Sequence, residues 1–130
     1  MASELRVNTL KDAAGNNSIA TSFVAGGSAK AWVNFDGTAS GAAARGSLNL
    51  ASMTDSGTGI YVCNLTSAFA NTNDCAATSS ASASTSGSDN RNISTTITGA
   101  SAIDNRTSNA ASGAVVDTAV NNVSAQGDLA

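Results

Sequence analysis

The side chains able to do chemistry in this chain are nine carboxylates and two cysteines, because it has no histidine. Without an imidazole, the usual general base and the Ser–His nucleophile both drop out. Asp12, Asp36, Asp55, Asp74, Asp89, Asp104 and Asp117 are dispersed, mostly in segments where Asp reads as a turn former. A polysaccharide-cleaving enzyme needs two carboxylates within roughly 5 to 10 Å of each other, and no spacing here pairs any two. "DSGTG" at 55–59 lacks the alternating oxygen ligands of a calcium loop. Its "GTG" has no lysine behind it and opens no helix, so it does not cradle phosphate. Both read as a hairpin turn. Cys63 and Cys75 fall on what read as neighbouring strands. They read as two small buried hydrophobes, reduced in a cytosol, with a cross-strand disulfide as the alternative. A metal is the weakest reading, since neither histidine nor a second cysteine pair is present. The expectation is a protein that is not an enzyme and has no cofactor and no metal.

Composition narrows the partners. Six basic residues against nine acidic ones give a net charge of −3, with the charges scattered singly. No basic patch offers a footprint for nucleic acid. No apolar run reaches membrane-spanning length, so no membrane insertion is expected. "MASELRVNTLKD" has no apolar signal core, and the chain is expected to be made in a cytosol and to stay soluble there. Five Asn-x-Ser/Thr sequons, at Asn16, Asn64, Asn92, Asn105 and Asn122, carry no meaning without secretion. A length of 130 residues suits one domain. Much of the 42% hydrophobic content is alanine, and no aromatic residue follows Phe69. Ordering a residue costs roughly 1–2 kcal/mol, so a second half with so little to bury points to completion by other subunits.

The elements that must carry these residues read as β. Short alternating runs bounded by Gly, Asn, Asp and Ser dominate. "ELRVNTL" alternates, with Leu5 and Val7 on one face; "KDAAGNNS" is a turn and "IATSFV" a second short strand. Gly26 and Gly27 mark a joint between an N-terminal arm, residues 1–27, and a main domain, residues 28–130. "AKAWVNF" is the next strand and "DGTASGAAARG" a flexible return. "SLNLASMT" and "GIYVCNLT" flank "DSGT" as a hairpin. "CAATSSASAS" is extended, "TSGSDN" a loop, "RNISTTIT" a strand pairing Ile93 with Ile97, and "GASAIDNRTSNAASG" an irregular loop. "AVVDTAVNNVSA" closes the fold as a strand, with a helix over 114–124 as the weaker alternative. Strands at this spacing predict an all-β protein, a β-sandwich (jelly-roll-like) or a small barrel.

Strand alternation divides the aromatic run "SAKAWVNFDG". Val33 and Phe35 point one way, Trp32 and Asn34 the other. Val33, Phe35, Tyr61, Cys63 and Leu65 are therefore the expected core, with Phe69 plugging its end. Leu5, Val7 and Trp32 are the expected subunit interface.

Much of the chain resembles small tail-fibre proteins of tailed bacteriophages, especially those of marine and freshwater bacteria. The likeness begins in "SELRVNTLKDAAGNNSIATSFVAGGSAKAWVNFDGT", where "KAWVNF" leads through a polar residue and Gly into a Gly/Ala-rich link. It continues in "DSGTGIYVCNL", similar to an Asp-x-Gly-Thr-Gly-x-Tyr-x-Val-x-Phe pattern, with Cys63 in place of Val and Leu65 in place of Phe. "TSAFANTND" then leads to "CAAT", with Cys75 where an aromatic is common, and the chain ends in "GDLA". The resemblance is strongest over residues 2–78 and 127–130. It implies a β-rich homotrimer in the virion, assembled in the bacterial cytoplasm, with other virion proteins as partners. It implies a tail-fibre subunit that anchors by its arm and meets a host surface glycan or protein through polar loops such as 84–92 and 99–113. The alternative is a capsid decoration protein that stabilises capsomer contacts.

Overall fold

The computed structural model describes residue 3, residues 5–83 and residues 91–130. The expected loop "TSGSDN" lies outside them. The described chain is mostly antiparallel β, with one short helix. A two-stranded ribbon, β1 (Thr9–Lys11) and β2 (Ser18–Ala20), comes first, followed by α1 (Thr21–Gly27). Eight strands follow: β3 (Ala29–Asp36), β4 (Ala43–Leu48), β5 (Leu50–Gly57), β6 (Ile60–Leu65), β7 (Ala76–Ser82), β8 (Arg91–Gly99), β9 (Ala102–Asn109) and β10 (Val120–Gln126). They form two four-stranded sheets, ordered β4-β3-β10-β7 and β5-β6-β9-β8. One core lies between them, giving a β-sandwich-like fold. β3–β4, β5–β6 and β8–β9 are hairpins within a sheet. The order is thus one of in-sheet hairpins rather than of a jelly roll.

The four central strands carry the core. Alternate residues point inward: Ala31, Val33 and Phe35 on β3, Tyr61, Cys63 and Leu65 on β6, Ile103 on β9, Val123 and Ala125 on β10. Phe69 is buried beside them, and its backbone bridges to Leu129. The Phe35 and Tyr61 rings meet edge-on across the core, 5.0 Å between centroids, a geometry that adds about 0.5–1.5 kcal/mol to simple burial. The edge strands β4, β5, β7 and β8 have no fully buried side chain among the described residues. The few large apolar residues are therefore concentrated where both neighbours are strands.

Several expectations are corrected. "IATSFV" is not a second strand: only Ser18–Ala20 is extended, and Thr21–Gly27 is helical. Ile19 and Phe23 are four apart, a helical spacing, and Val24 directly after Phe23 breaks the two-residue alternation. The first strand is likewise confined to Thr9–Lys11, so Leu5 and Val7 precede it. Residues 43–46 of the supposed flexible return form β4 together with Ser47 and Leu48 of "SLNLASMT". The β5–β6 turn sits at Thr58–Gly59, two residues later than "DSGT" suggests, because Asp55 and Gly57 still pair with Tyr61 and Ile60 across a bulge.

The largest correction is β9, a central strand where an irregular loop was expected. Its inward residues are Ile103, Asn105 and Thr107, so two of three are polar and hide the apolar alternation. Hydrogen bonds offset part of the cost of this burial, while the Asn105 amide nitrogen has no partner among the described residues. Thr107 Oγ1 donates to Val116 O at 2.6 Å, and Asn105 Oδ1 accepts from Thr95 Oγ1 at 3.0 Å. The closing strand starts only at Val120, and no helix spans 114–124. Val, Asn and Thr in this stretch favour the extended state.

The chain passes between sheets at Asn49, whose φ is +58°. Asparagine tolerates this left-handed conformation better than most residues. Its side chain fixes the corner, accepting from Ser67 N–H at 2.7 Å and donating to Ser67 O at 3.0 Å.

Candidate functional site

Five of the aspartates, Asp12, Asp36, Asp55, Asp74 and Asp104, are engaged singly in local ties. Asp12 closes the β1–β2 turn, accepting from the Asn16 N–H at 2.8 Å; the Asn16 and Asn17 backbone N–H groups hold its carboxyl below the usual range. Asp36 accepts from the hydroxyl and N–H of Thr38 and pairs with Arg45 at 2.7 Å. Those Thr38 bonds are the main reason its carboxyl is held low. Asp55 accepts from Gly57 N–H, Asp74 from the Asn71 amide, and Asp104 from the Thr98 hydroxyl. Asp89 lies outside the described residues.

Asp117 is exposed but caps a polar knot whose other side chains, Tyr61, Thr118 and Asn121, are buried. Its Oδ1 accepts from Gly59 N–H at 2.7 Å and from the Tyr61 hydroxyl at 2.8 Å. The same hydroxyl lies 3.2 Å from Gly37 O. Gly37 N–H reaches Thr118 O at 2.9 Å, and Thr118 and Asn121 bond each other reciprocally at 2.6 and 2.8 Å. Burial first, and Asp117 second, push the Tyr61 phenol well above its ordinary value. The phenol is a fixed donor that ties β6 to the segment ahead of β10, and nothing about it is poised to release a proton.

The cysteines are free and do not lie on neighbouring strands. Cys63 is buried on β6, and Cys75 is half-buried ahead of β7, in the other sheet. Burial, with Asp104 nearby, raises the Cys63 thiol to about 12. It is a packing residue with no thiolate at neutral pH.

The predicted residues separate into three environments. Val33, Phe35, Tyr61, Cys63, Leu65 and Phe69 form the core. Leu5 and Val7 lie ahead of β1 and are exposed, Leu5 by 81%. Trp32 is on the outer face of β3, 42% exposed. Of the two expected adhesive loops, 84–92 lies largely outside the described residues, and 99–113 is mostly β9, with Ile103, Asn105 and Thr107 buried.

The outer face around Trp32 is a built surface. Two rows cross the sheet there. One runs Leu48, Trp32, Ser124, Thr78; the other runs Gly46, Asn34, Asn122, Ser80. Asn34 Nδ2 donates to Asn122 Oδ1 at 2.7 Å, and Asn122 Nδ2 donates to Ser80 Oγ at 3.2 Å. This ladder fixes the direction of both amides. The far edge of the indole rests near Gly46, about 3.5 Å from where a Cβ would stand. On its other side Trp32 walls a shallow depression of about 400 Å³, lined also by Val33 and Val123 and by Thr78, Ser79, Ser80, Asn122 and Ser124. No charged side chain lines it.

No family profile, curated protein or solved structure matches this chain.

What the arrangement can do follows from its own groups. It joins one aromatic wall to oriented, neutral hydrogen-bonding groups on the outer face of a sheet. Asn34 beside Trp32 follows from alternation on β3. Asn122, Ser124, Thr78 and Ser80 are sequence-distant, and only the registers of β10 and β7 bring them to the same place.

Proposed function

We propose that this chain is a non-catalytic structural protein of a bacteriophage virion, a tail-fibre subunit that attaches through residues 1–27 and presents its sandwich to the host surface. One observation carries the attachment role. No described residue before Ala31 is buried, yet this segment displays Leu10, Ile19, Phe23 and Val24, with Phe23 72% exposed. Apolar side chains spaced along a ribbon and a short helix gain nothing in isolation, and burying them against another chain supplies a driving force of roughly 25 cal/mol per Å². The sandwich core takes nothing from this segment, so attachment and folding are separable. The resemblance in "KAWVNF" and "DSGTGIYVCNL" supplies the virion context, and homotrimeric assembly through the same apolar side chains is part of the reading. The absence of histidine and the local engagement of the aspartates support a non-catalytic role.

The same segment would serve a capsid decoration protein, and copy number separates the two. Imaging particles with this chain labelled should find tens of copies or fewer, at the tail. Hundreds over the capsid would favour decoration, and absence from the particle would overturn the virion reading. Light scattering on the purified chain should give about three times the 12.7 kDa chain mass.

A further inference from the structure

We infer that the Trp32 face of the β4-β3-β10-β7 sheet is a binding site for an uncharged pyranose glycan. The inference rests on the proposed host-facing role for its biological meaning, and on the geometry alone for its chemistry.

A pyranose ring has an apolar C–H face and a rim of hydroxyl groups. An indole face carries negative charge density that attracts those C–H bonds. Amides and hydroxyls suit the rim, since each donates and accepts. The depression supplies both halves. Trp32 forms one wall. Asn122 and Ser124 are on the floor strand, Thr78 and Ser80 on the opposite side, and Asn34 continues the row. The Asn34–Asn122–Ser80 ladder holds the amides in place before any ligand arrives, which lowers the ordering cost of binding. The Asn34 amide oxygen and the Ser124 and Thr78 hydroxyls take no hydrogen bond among the described residues, so they are available to a sugar rim. A volume of about 400 Å³ is within the range of ligand pockets.

The lining also argues against other occupants. Without a cation in it, the depression has no hold on a phosphate backbone or an anionic polysaccharide. A protein interface core is built of several apolar and aromatic side chains; here Trp32 and its neighbour Leu48 are the large exposed apolar residues, Val33 and Val123 line the depression but are buried as part of the core, and the remainder are Ser, Thr and Asn. An uncharged, hydroxyl-rich ligand matches this surface in charge and in hydrogen-bonding capacity.

Trp32 is the only tryptophan in the chain, so its fluorescence reports on the site directly. The full chain is titrated with maltotriose, cellotriose, mannotriose and triacetylchitotriose, with sialyllactose as an anionic control. At least one neutral trisaccharide should shift and change the emission, with a Kd near ~1 mM, and sialyllactose should not. Asn122→Ala should weaken that binding roughly tenfold. Trp32→Ala, followed by calorimetry, should abolish it while circular dichroism shows the fold intact. If no neutral trisaccharide binds up to about 20 mM, the inference is overturned. It is equally overturned if, without sugar, the emission shifts with protein concentration as subunits associate, since Trp32 would then be a subunit contact. Particle labelling is a separate readout. Sugar binding by a chain absent from particles would sink the virion reading and leave this site standing; a chain present in particles that binds no neutral sugar would do the reverse.

Discussion

Phe35 and Tyr61 belong to different sheets, and their rings meet at 70° with 5.0 Å between centroids. The contact is the one ring–ring contact among the described residues, in a core otherwise filled by Phe69 and by Ala, Val, Leu, Ile and Cys. Phe35→Ala should therefore cost about 3–5 kcal/mol in unfolding free energy. Trp32, three residues away but on the outer face, should cost less than about 1 kcal/mol as Trp32→Ala. Urea unfolding of both variants checks the contrast, and comparable losses would contradict this division of the strand.

The Tyr61 hydroxyl fixes Asp117 and closes over Gly37. Tyr61→Phe removes a hydrogen bond to an exposed carboxylate and should destabilise by about 0.5–1.5 kcal/mol. Gly37→Ala should be worse, because a Cβ there would stand 2.6 Å from Tyr61 Cζ. Combining Gly37→Ala with Tyr61→Leu should cost less than the sum of the single losses, measured as a double-mutant cycle in thermal unfolding.

Cys63 makes stability fall in alkali. Its thiol is raised to about 12 in the native protein from an ordinary 9.0. Above pH 9 the unfolded chain releases this proton and the native chain keeps it, so the unfolded state binds fewer protons. Stability is then full below the ordinary value and declines as pH climbs towards 12. Tyr61, raised by the same burial, adds to the decline at its upper end. Urea midpoints from pH 8 to about 11 should fall, and Cys63→Val should flatten the first part of the slope. In thiol labelling of the native protein, the half-buried Cys75 should react well before Cys63.

Removing residues 2–27 tests the separation of attachment from folding. The shortened chain should keep its β-type circular dichroism and its cooperative melting, since no core side chain is lost. In particle reconstitution it should fail to join. Truncated protein that assembles normally would show that this segment is not the anchor.

The residues themselves determined a good deal. Alternation along "AKAWVNF" and "GIYVCNL" separates inward from outward positions wherever the inward residues are large and apolar. This is how β3 and β6 and five of the six expected core residues, all but Phe69, could be read from one-dimensional order. β9 and α1 escaped for opposite reasons. β9 places Asn105 and Thr107 inward, and their partners Thr95 and Val116 are supplied by β8 and by the segment ahead of β10. In α1, three apolar side chains in seven positions fit a short strand as well as two turns of helix.

The neighbours of Trp32 were decided by tertiary structure alone. Trp32 faces Ser124, and Ser124 faces Thr78, through two antiparallel registers that join segments 92 and 46 residues apart. Local propensity fixes which face a side chain takes. Which distant hydroxyls and amides share that face depends on how β10 inserts between β3 and β7. That insertion is set by packing Val123 and Ala125 into the core, so the outer surface is a consequence of what the inner one buries.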